Sequence, residues 1–242
     1  MLWQADCARR VGETVRAEAS ELLAGPGGAP LPAPARAGVY RMLRAAQNLE
    51  FWAGLQRGAW PAHVMDLAAS AAALLAAARQ VCATPPALLR LYACGQPLPV
   101  AASEAAFGAA FLNLLCNSLL YGGARPAVSL RLLRQGGRAV MILRDWGPGI
   151  PPGRQRLALQ PFESAAALPG LGLGLPLAAL FARRYGGAFT LESRPGRGLA
   201  AAISLPLCPV ARLPRPPQAA ALLADRYSPV YVQLSPRCIL PD

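Results

Sequence analysis

Three short stretches in the second half of the chain combine polar groups with spacings that chemistry can use. The first is Asn113-Leu114-Leu115-Cys116-Asn117-Ser118-Leu119-Leu120-Tyr121. On a helix, Asn113 and Asn117 lie four apart and share a face, with Tyr121 one turn further. A carboxamide oxygen there is a neutral ligand for Mg²⁺ when phosphate oxygens complete the shell; two helix-surface amides are the plainer alternative. The second is Asp145-Trp146-Gly147-Pro148-Gly149-Ile150, directly after an apolar run. It delivers a carboxylate at a strand end, beside glycines that admit a close ligand. Such an Asp can accept from an exocyclic amine like that of adenine, although a simple turn uses the same residue types. The third, Gly170-Leu171-Gly172-Leu173-Gly174-Leu175, opens a helical pattern. Backbone N–H groups at such a start face an anion with the positive end of the helix dipole behind them. In a chain with 23 glycines, composition alone produces a GxGxG readily.

The elements that must carry these groups follow from periodicity. Residues 2–24 read as a helix, with Val11, Val15, Ala19 and Leu22-Leu23 at helical spacing. A Gly/Pro-rich loop follows, then a second helix over 39–56 carrying Tyr40, Leu43, Leu49, Phe51-Trp52 and Leu55. The pair suggests an antiparallel hairpin. A third helix is expected from Pro61 to about Cys82, with Asp66 in its first turn. After Thr84-Pro85-Pro86 the pattern mixes strands at 88–93, 128–133, 139–143, 189–192 and 200–205 with helices at 103–121 and 173–185. This predicts an α/β fold of the α+β kind, a two-layer sandwich with a mixed, mostly antiparallel sheet, preceded by an α-helical hairpin. The implied division is a hairpin at 1–60, a linking helix at 61–84, the sandwich at 85–207 and a Pro-rich tail at 208–242. In the tail, residues 229–234 read as a short strand able to pair with a sheet edge.

On a helix, a strand end and a helix start, in that order, the three motifs resemble the ATPase family shared by histidine kinases, DNA gyrase, MutL and the heat-shock chaperone. The nearer likeness is to the ATP-binding catalytic domain of sensor histidine kinases. Asn113 stands where the gyrase branch carries a catalytic Glu, Pro161-Phe162 matches the kinases' phenylalanine box, and Glu192-Ser193-Arg194-Pro195-Gly196-Arg197-Gly198 matches the end of their domain. The resemblance implies ATP and Mg²⁺ as ligands. Asn117 would hold the metal, Asp145 would read adenine, and Gly147 and Gly149 would shape the base pocket. Gly170, Gly172 and Gly174 would line the phosphates, and Tyr121 would flank the base or ribose. Asn113, Ile150 and Leu173 complete the implied nucleotide-binding set, and 163–169 would be the lid.

The chain also departs from that pattern. Leu120 replaces a basic residue that touches phosphate, Leu171 and Leu199 replace threonines, and residues 163–169 contain no base, with Arg154 and Arg156 nearby. The first helix has no His to accept phosphate, and the only His is His63, after the second helix. The resemblance thus implies ATP binding in two-component-type signalling without self-phosphorylation, and no residue is assigned as catalytic. It further implies a homodimer through the N-terminal helices and a response regulator or other protein partner. Two other readings remain open: an anti-sigma-type serine/threonine protein kinase, and a non-catalytic interaction module with a vestigial site.

Bulk composition sets limits on these readings. With 242 residues, 54% hydrophobic and 15% charged, the chain can bury a sizeable core. All 24 basic residues are Arg against 12 acids, a formal charge of +12. They are scattered without interleaved aromatics, so no nucleic-acid surface is expected. Six cysteines without a CxxC pair read as reduced thiols of a cytoplasmic protein. The start lacks the plan of a signal peptide, and the most apolar run, 67–78, is too short to span a bilayer.

Overall fold

Helical periodicity at the N-terminus becomes α1 (Leu2–Ala24) and α2 (Ala33–Arg57) in the computed structural model. It describes residues 2–24, 31–82, 88–123, 126–163, 171–210 and 212–241. α2 starts six residues before its apolar pattern suggests. Pro32 and Pro34 fit a first helical turn, where a missing N–H costs nothing and the fixed φ is already helical. Ala19 and Leu23 of α1 meet Val39, Tyr40 and Leu43 of α2 in a small core that also takes in Val232 from the tail. An Arg16–Glu50 ion pair crosses the hairpin.

The expected third helix is divided. Residues 63–66 form a strand, β1 (His63–Asp66), and only Leu67–Val81 is helical, as α3. Asp66 explains the break. Its Oδ1 accepts from the N–H of Ala68 (3.0 Å) and Ala69 (3.4 Å), capping the helix, and from Leu98 (2.9 Å). An N-cap residue has extended backbone, so the chain before it leaves helical geometry.

The remaining strands are β2 (Leu89–Ala93), β3 (Pro99–Ala102), β4 (Val128–Gln135), β5 (Arg138–Asp145), β6 (Ala188–Ser193) and β7 (Leu199–Pro206). β3, which carries no strand signal in the sequence, pairs antiparallel with β1 in a two-stranded sheet. The main sheet has the order β2-β4-β5-β7-β6. Its β2–β4 pair is parallel and the other pairs are antiparallel, the mixed sheet expected. Alternation along the strands buries Leu130, Leu132, Met141, Leu143, Ala201 and Ile203 on one face. Over that face lie α4 (Glu104–Tyr121) and α6 (Gly174–Arg184). They contribute Phe107, Phe111 and Phe181, whose rings meet at 5.9–6.1 Å. Each such side chain, fully buried, stabilises the fold by about 1.5–3 kcal/mol. The intervening strand positions, Arg131 and Arg144 among them, lie on the open face, so the sandwich has two layers.

A short helix that the sequence did not signal, α5 (Pro152–Ala158), follows β5. In the tail are α7 (Ala219–Leu222) and α8 (Pro229–Leu234). The strand expected at 229–234 is therefore a helix. Pro229 occupies its first turn, and the segment is buried beside both α2 and α4, with Val230, Val232, Gln233 and Leu234 all inaccessible. Burial from several sides erases the one-sided periodicity that marks a surface helix. The tail is fastened to the hairpin. Tyr40 donates its hydroxyl to the Arg226 carbonyl (2.9 Å), and Gln233 donates to the Gln47 amide oxygen (3.2 Å).

Candidate functional site

β5 ends at Asp145, and the strand's alternation turns that side chain to the core face, two residues after Leu143. The residue is only 5% exposed, so its carboxylate must be held by donors. Its Oδ1 accepts from the N–H of Gly147 (3.0 Å) and Leu199 (3.1 Å), and its Oδ2 accepts from the Ser118 hydroxyl (3.0 Å). A carboxylate offers about four lone-pair sites. Three are used here, which leaves Oδ2 able to take one more donor.

The loop after Asp145 is fixed by the turn around 194–198. Gly149 and Gly198 both have left-handed backbone, at φ 70° and 81°. A Cβ on Gly198 would stand 2.1 Å from the Asp145 carbonyl oxygen, and one on Gly149 would stand 2.4 Å from that of Arg194. Only glycine permits both the conformation and the approach. Ser193 locks the arrangement, accepting from the Ile150 N–H (2.7 Å) and donating to the Gly198 carbonyl (3.0 Å).

Beside Asp145 opens a cavity of about 570 Å³. Leu143, Ile150, Leu199 and Ala201 supply apolar wall, and α4 supplies Asn117, Ser118, Leu120 and Tyr121. Gly172 and Gly174 border it at the start of α6, whose N-cap residue, Leu173, offers no side-chain capping bond. A Cβ on Gly174 would lie 2.8 Å from the Asn117 amide nitrogen, so the helix start rests directly against Asn117. Tyr121 is half exposed at the mouth. Burial of the rest of it pushes its phenol pKa up, and the nearby charge of Arg44 opposes that. Burial likewise raises the Cys116 thiol, again opposed by Arg44.

Among the residues singled out in the sequence, Asn117, Tyr121, Asp145, Gly149, Ile150, Gly172 and Gly174 line this cavity together. Three others stand behind it. Gly147 is buried with its N–H on Asp145, and Leu173 is buried at the cap of α6. Asn113, 0% exposed, exchanges amide hydrogen bonds with Asn48 of α2 (2.8 and 3.2 Å) and donates to the Ala109 carbonyl (2.9 Å). Gly170 and residues 164–169 of the expected lid lie outside the described residues. On either side of that segment Phe162 and Leu171 have left-handed backbone, φ 67° and 57°. That conformation costs a non-glycine residue about 1–2 kcal/mol. Arg154 of α5 lines the cavity, whereas Arg156 does not. His63 is exposed on β1 and is not part of the cavity wall.

Ser118 and Arg44 are wall residues that sequence reasoning passed over. Ser118 had a signal, a hydroxyl next to Asn117 on the same helix. Arg44 had none, since it arrives from α2, about seventy residues upstream of the Asn motif.

Comparison with known proteins agrees with this geometry. Residues 102–209 match the family described as histidine kinase-, DNA gyrase B-, and HSP90-like ATPase. The chain is 31% identical over 103 residues to sensor protein KdpD of Escherichia coli, an alignment spanning 41% of this chain and 12% of that protein. It is 36% identical over 114 residues to the signal transduction histidine-protein kinase/phosphatase MprB of Mycolicibacterium smegmatis, spanning 45% of this chain and 23% of that one. The chain therefore spans less than a quarter of the length of these relatives. A solved structure of the mycobacterial sensor histidine kinase MprB superimposes with a TM-score of 0.52 at 26% identity, covering 62% of this chain and 99% of that one. Among the described residues no helix is long and apolar enough to cross a membrane. Residues 102–209 of this chain belong to the histidine kinase-, DNA gyrase B-, and HSP90-like ATPase family and form an ATP-binding catalytic domain of the histidine kinase type.

Proposed function

We propose that this protein binds ATP with Mg²⁺ in the cavity beside Asp145, acts in two-component-type signalling, and does not phosphorylate itself. The observation that carries the reading is the seat of Asp145, a buried carboxylate with three donors in place and room for one more, at an apolar-walled cavity. The exocyclic amine of adenine is the fourth donor. Leu143, Ile150, Leu199 and Ala201 enclose the base, and Tyr121 covers it from the mouth. Gly172 and the uncapped start of α6 face the phosphates with N–H groups. Asn117, against that helix start, offers the one neutral oxygen that Mg²⁺ takes from the protein when phosphate and water supply the rest.

The second half of the reading rests on the acceptor. α1 carries no His, and His63 lies on an exposed strand outside the cavity wall. Phosphoryl transfer depends on positioning, so a chain without a placed acceptor does not label itself. Its partners in this reading are a second copy, met through the hairpin where Val11 and Leu22 are exposed, and a response-regulator-type protein, in the cytoplasm. The division into hairpin, linking helix, ATP-binding domain and tail belongs to the same reading. Incubation with γ-labelled ATP, alone and with receiver proteins, tests it. Label on the chain itself in an acid-labile bond would refute the loss of self-phosphorylation.

A non-catalytic interaction module is the second reading. Its support is the fastening of the hairpin to the ATPase domain by Asn48–Asn113 and Gln47–Gln233, which opposes the large hairpin motions of a working phosphotransfer cycle. Nucleotide binding with neither hydrolysis nor transfer would favour it.

A further inference from the structure

We propose that Arg44, carried on the hairpin helix α2, supplies the phosphate-facing cation of the nucleotide site, in the role left empty by Leu120. The proposal rests on the ATP reading above and adds to it where the phosphate grip comes from.

The argument starts from helix geometry. Asn48 of α2 is paired with Asn113 of α4. One turn back along α2 is Arg44, and one turn forward along α4 is Asn117. Both line the cavity, so the two helices converge on it side by side. Arg44 is 3% exposed, and its charge is felt at Tyr121 and Cys116 on the same stretch of α4. Asn117 in turn touches the start of α6 at Gly174. With α2 packed against both α4 and α6, this puts Arg44 on the side of the cavity that carries Asn117 and the start of α6, the side the ATP reading assigns to phosphate. Leu120 lines the cavity too, but it brings only hydrocarbon. A guanidinium has five N–H donors in a planar fork that matches phosphate oxygens two at a time, so it can serve a phosphate as well as neighbours in the protein.

One consequence is that the hairpin is part of the binding site. Any displacement of α2 carries the cation with it, so hairpin position and affinity for the phosphates are linked, each biasing the other.

The test uses the full chain and titrates ATP and adenosine against the parent, Arg44→Met, Arg44→Lys, and Arg44→Met combined with Leu120→Arg. The expected result is a loss of about tenfold or more in ATP affinity for Arg44→Met, the scale of a charge-assisted hydrogen bond. Adenosine affinity should hold within about twofold on the same argument. Arg44→Lys should retain part of the ATP affinity, and Leu120→Arg should restore it by returning a cation from α4. A parent that binds ATP and an Arg44→Met variant that binds it equally would overturn the proposal and leave the ATP reading intact. Parallel loss of ATP and adenosine in both Arg44 variants, with no recovery from Leu120→Arg, would overturn it in favour of a packing role. A parent that binds neither ligand would overturn both readings.

Discussion

The Asp145 end of the cavity and the Arg44 end are assembled differently. At the Asp145 end every holding group comes from the domain itself. Two are backbone N–H groups fixed by glycine contacts, and the third is a hydroxyl on α4. At the Arg44 end the groups come from three helices far apart in sequence, α2, α4 and α6. The first end is thus set by local chain geometry and tolerates little change. The second depends on how the hairpin packs. Of the losses from the family pattern, Leu120 lines the cavity on α4 and Leu171 directly precedes Gly172 at the approach to α6, while Leu199 lies at the Asp145 end. A base-recognition seat built from backbone can persist while a side-chain phosphate grip is rearranged onto another element.

The sharpest way to break the Asp145 end is Gly198→Ala. Its Cβ would collide with the Asp145 carbonyl at a left-handed φ, costing about 2–4 kcal/mol of stability. A denaturant melt measures it, and an unchanged midpoint would count against the packing described. Asp145→Asn comes next. An amide cannot accept from two backbone N–H groups, a hydroxyl and a ligand at once, so adenosine affinity should fall by about 1.5–3 kcal/mol in a titration.

The Arg44 end is probed through its support. Asn113→Ala leaves the Asn48 amide buried and short of a partner, a loss of about 1.5 kcal/mol. The double change Asn48→Leu with Asn113→Leu should recover much of that stability, because no polar group is then stranded. A double-mutant cycle by thermal melt separates the two, and additive losses would show that the amides do not act as a pair. The smallest effect is expected at Leu171→Gly. Relief of its left-handed backbone should stabilise the fold by about 0.5–1 kcal/mol, whereas a destabilised variant would mean that the leucine side chain matters more than its backbone.

How much of this was legible in the sequence differs between the same two ends. β5, the glycine turn and the end of the domain at 192–198 announce themselves by alternation and by glycines at places with local geometric reasons. α4 and α6 were equally plain as helices at 103–121 and 173–185, and Phe107, Phe111, Leu114 and Leu115 of α4 are buried in the core. Spacing also put Asn113 and Asn117 on one face, but it could not say that α2 would cover the first and leave the second at a cavity. Arg44 carried no local mark, because its role exists only after the hairpin docks. The tail helix α8 was hidden for a related reason. Its Val-Tyr-Val alternation looks like a strand until one knows that α2 and α4 bury it from two sides.

The central claim is that an adenine nucleotide binds beside Asp145. Equilibrium titration of the parent chain with a non-hydrolysable ATP analogue in excess Mg²⁺ tests it most directly. Saturable one-site binding, displaced by ADP and by adenosine but not by guanosine, is the result predicted. No saturable binding at millimolar analogue, or equal displacement by guanosine, would contradict it.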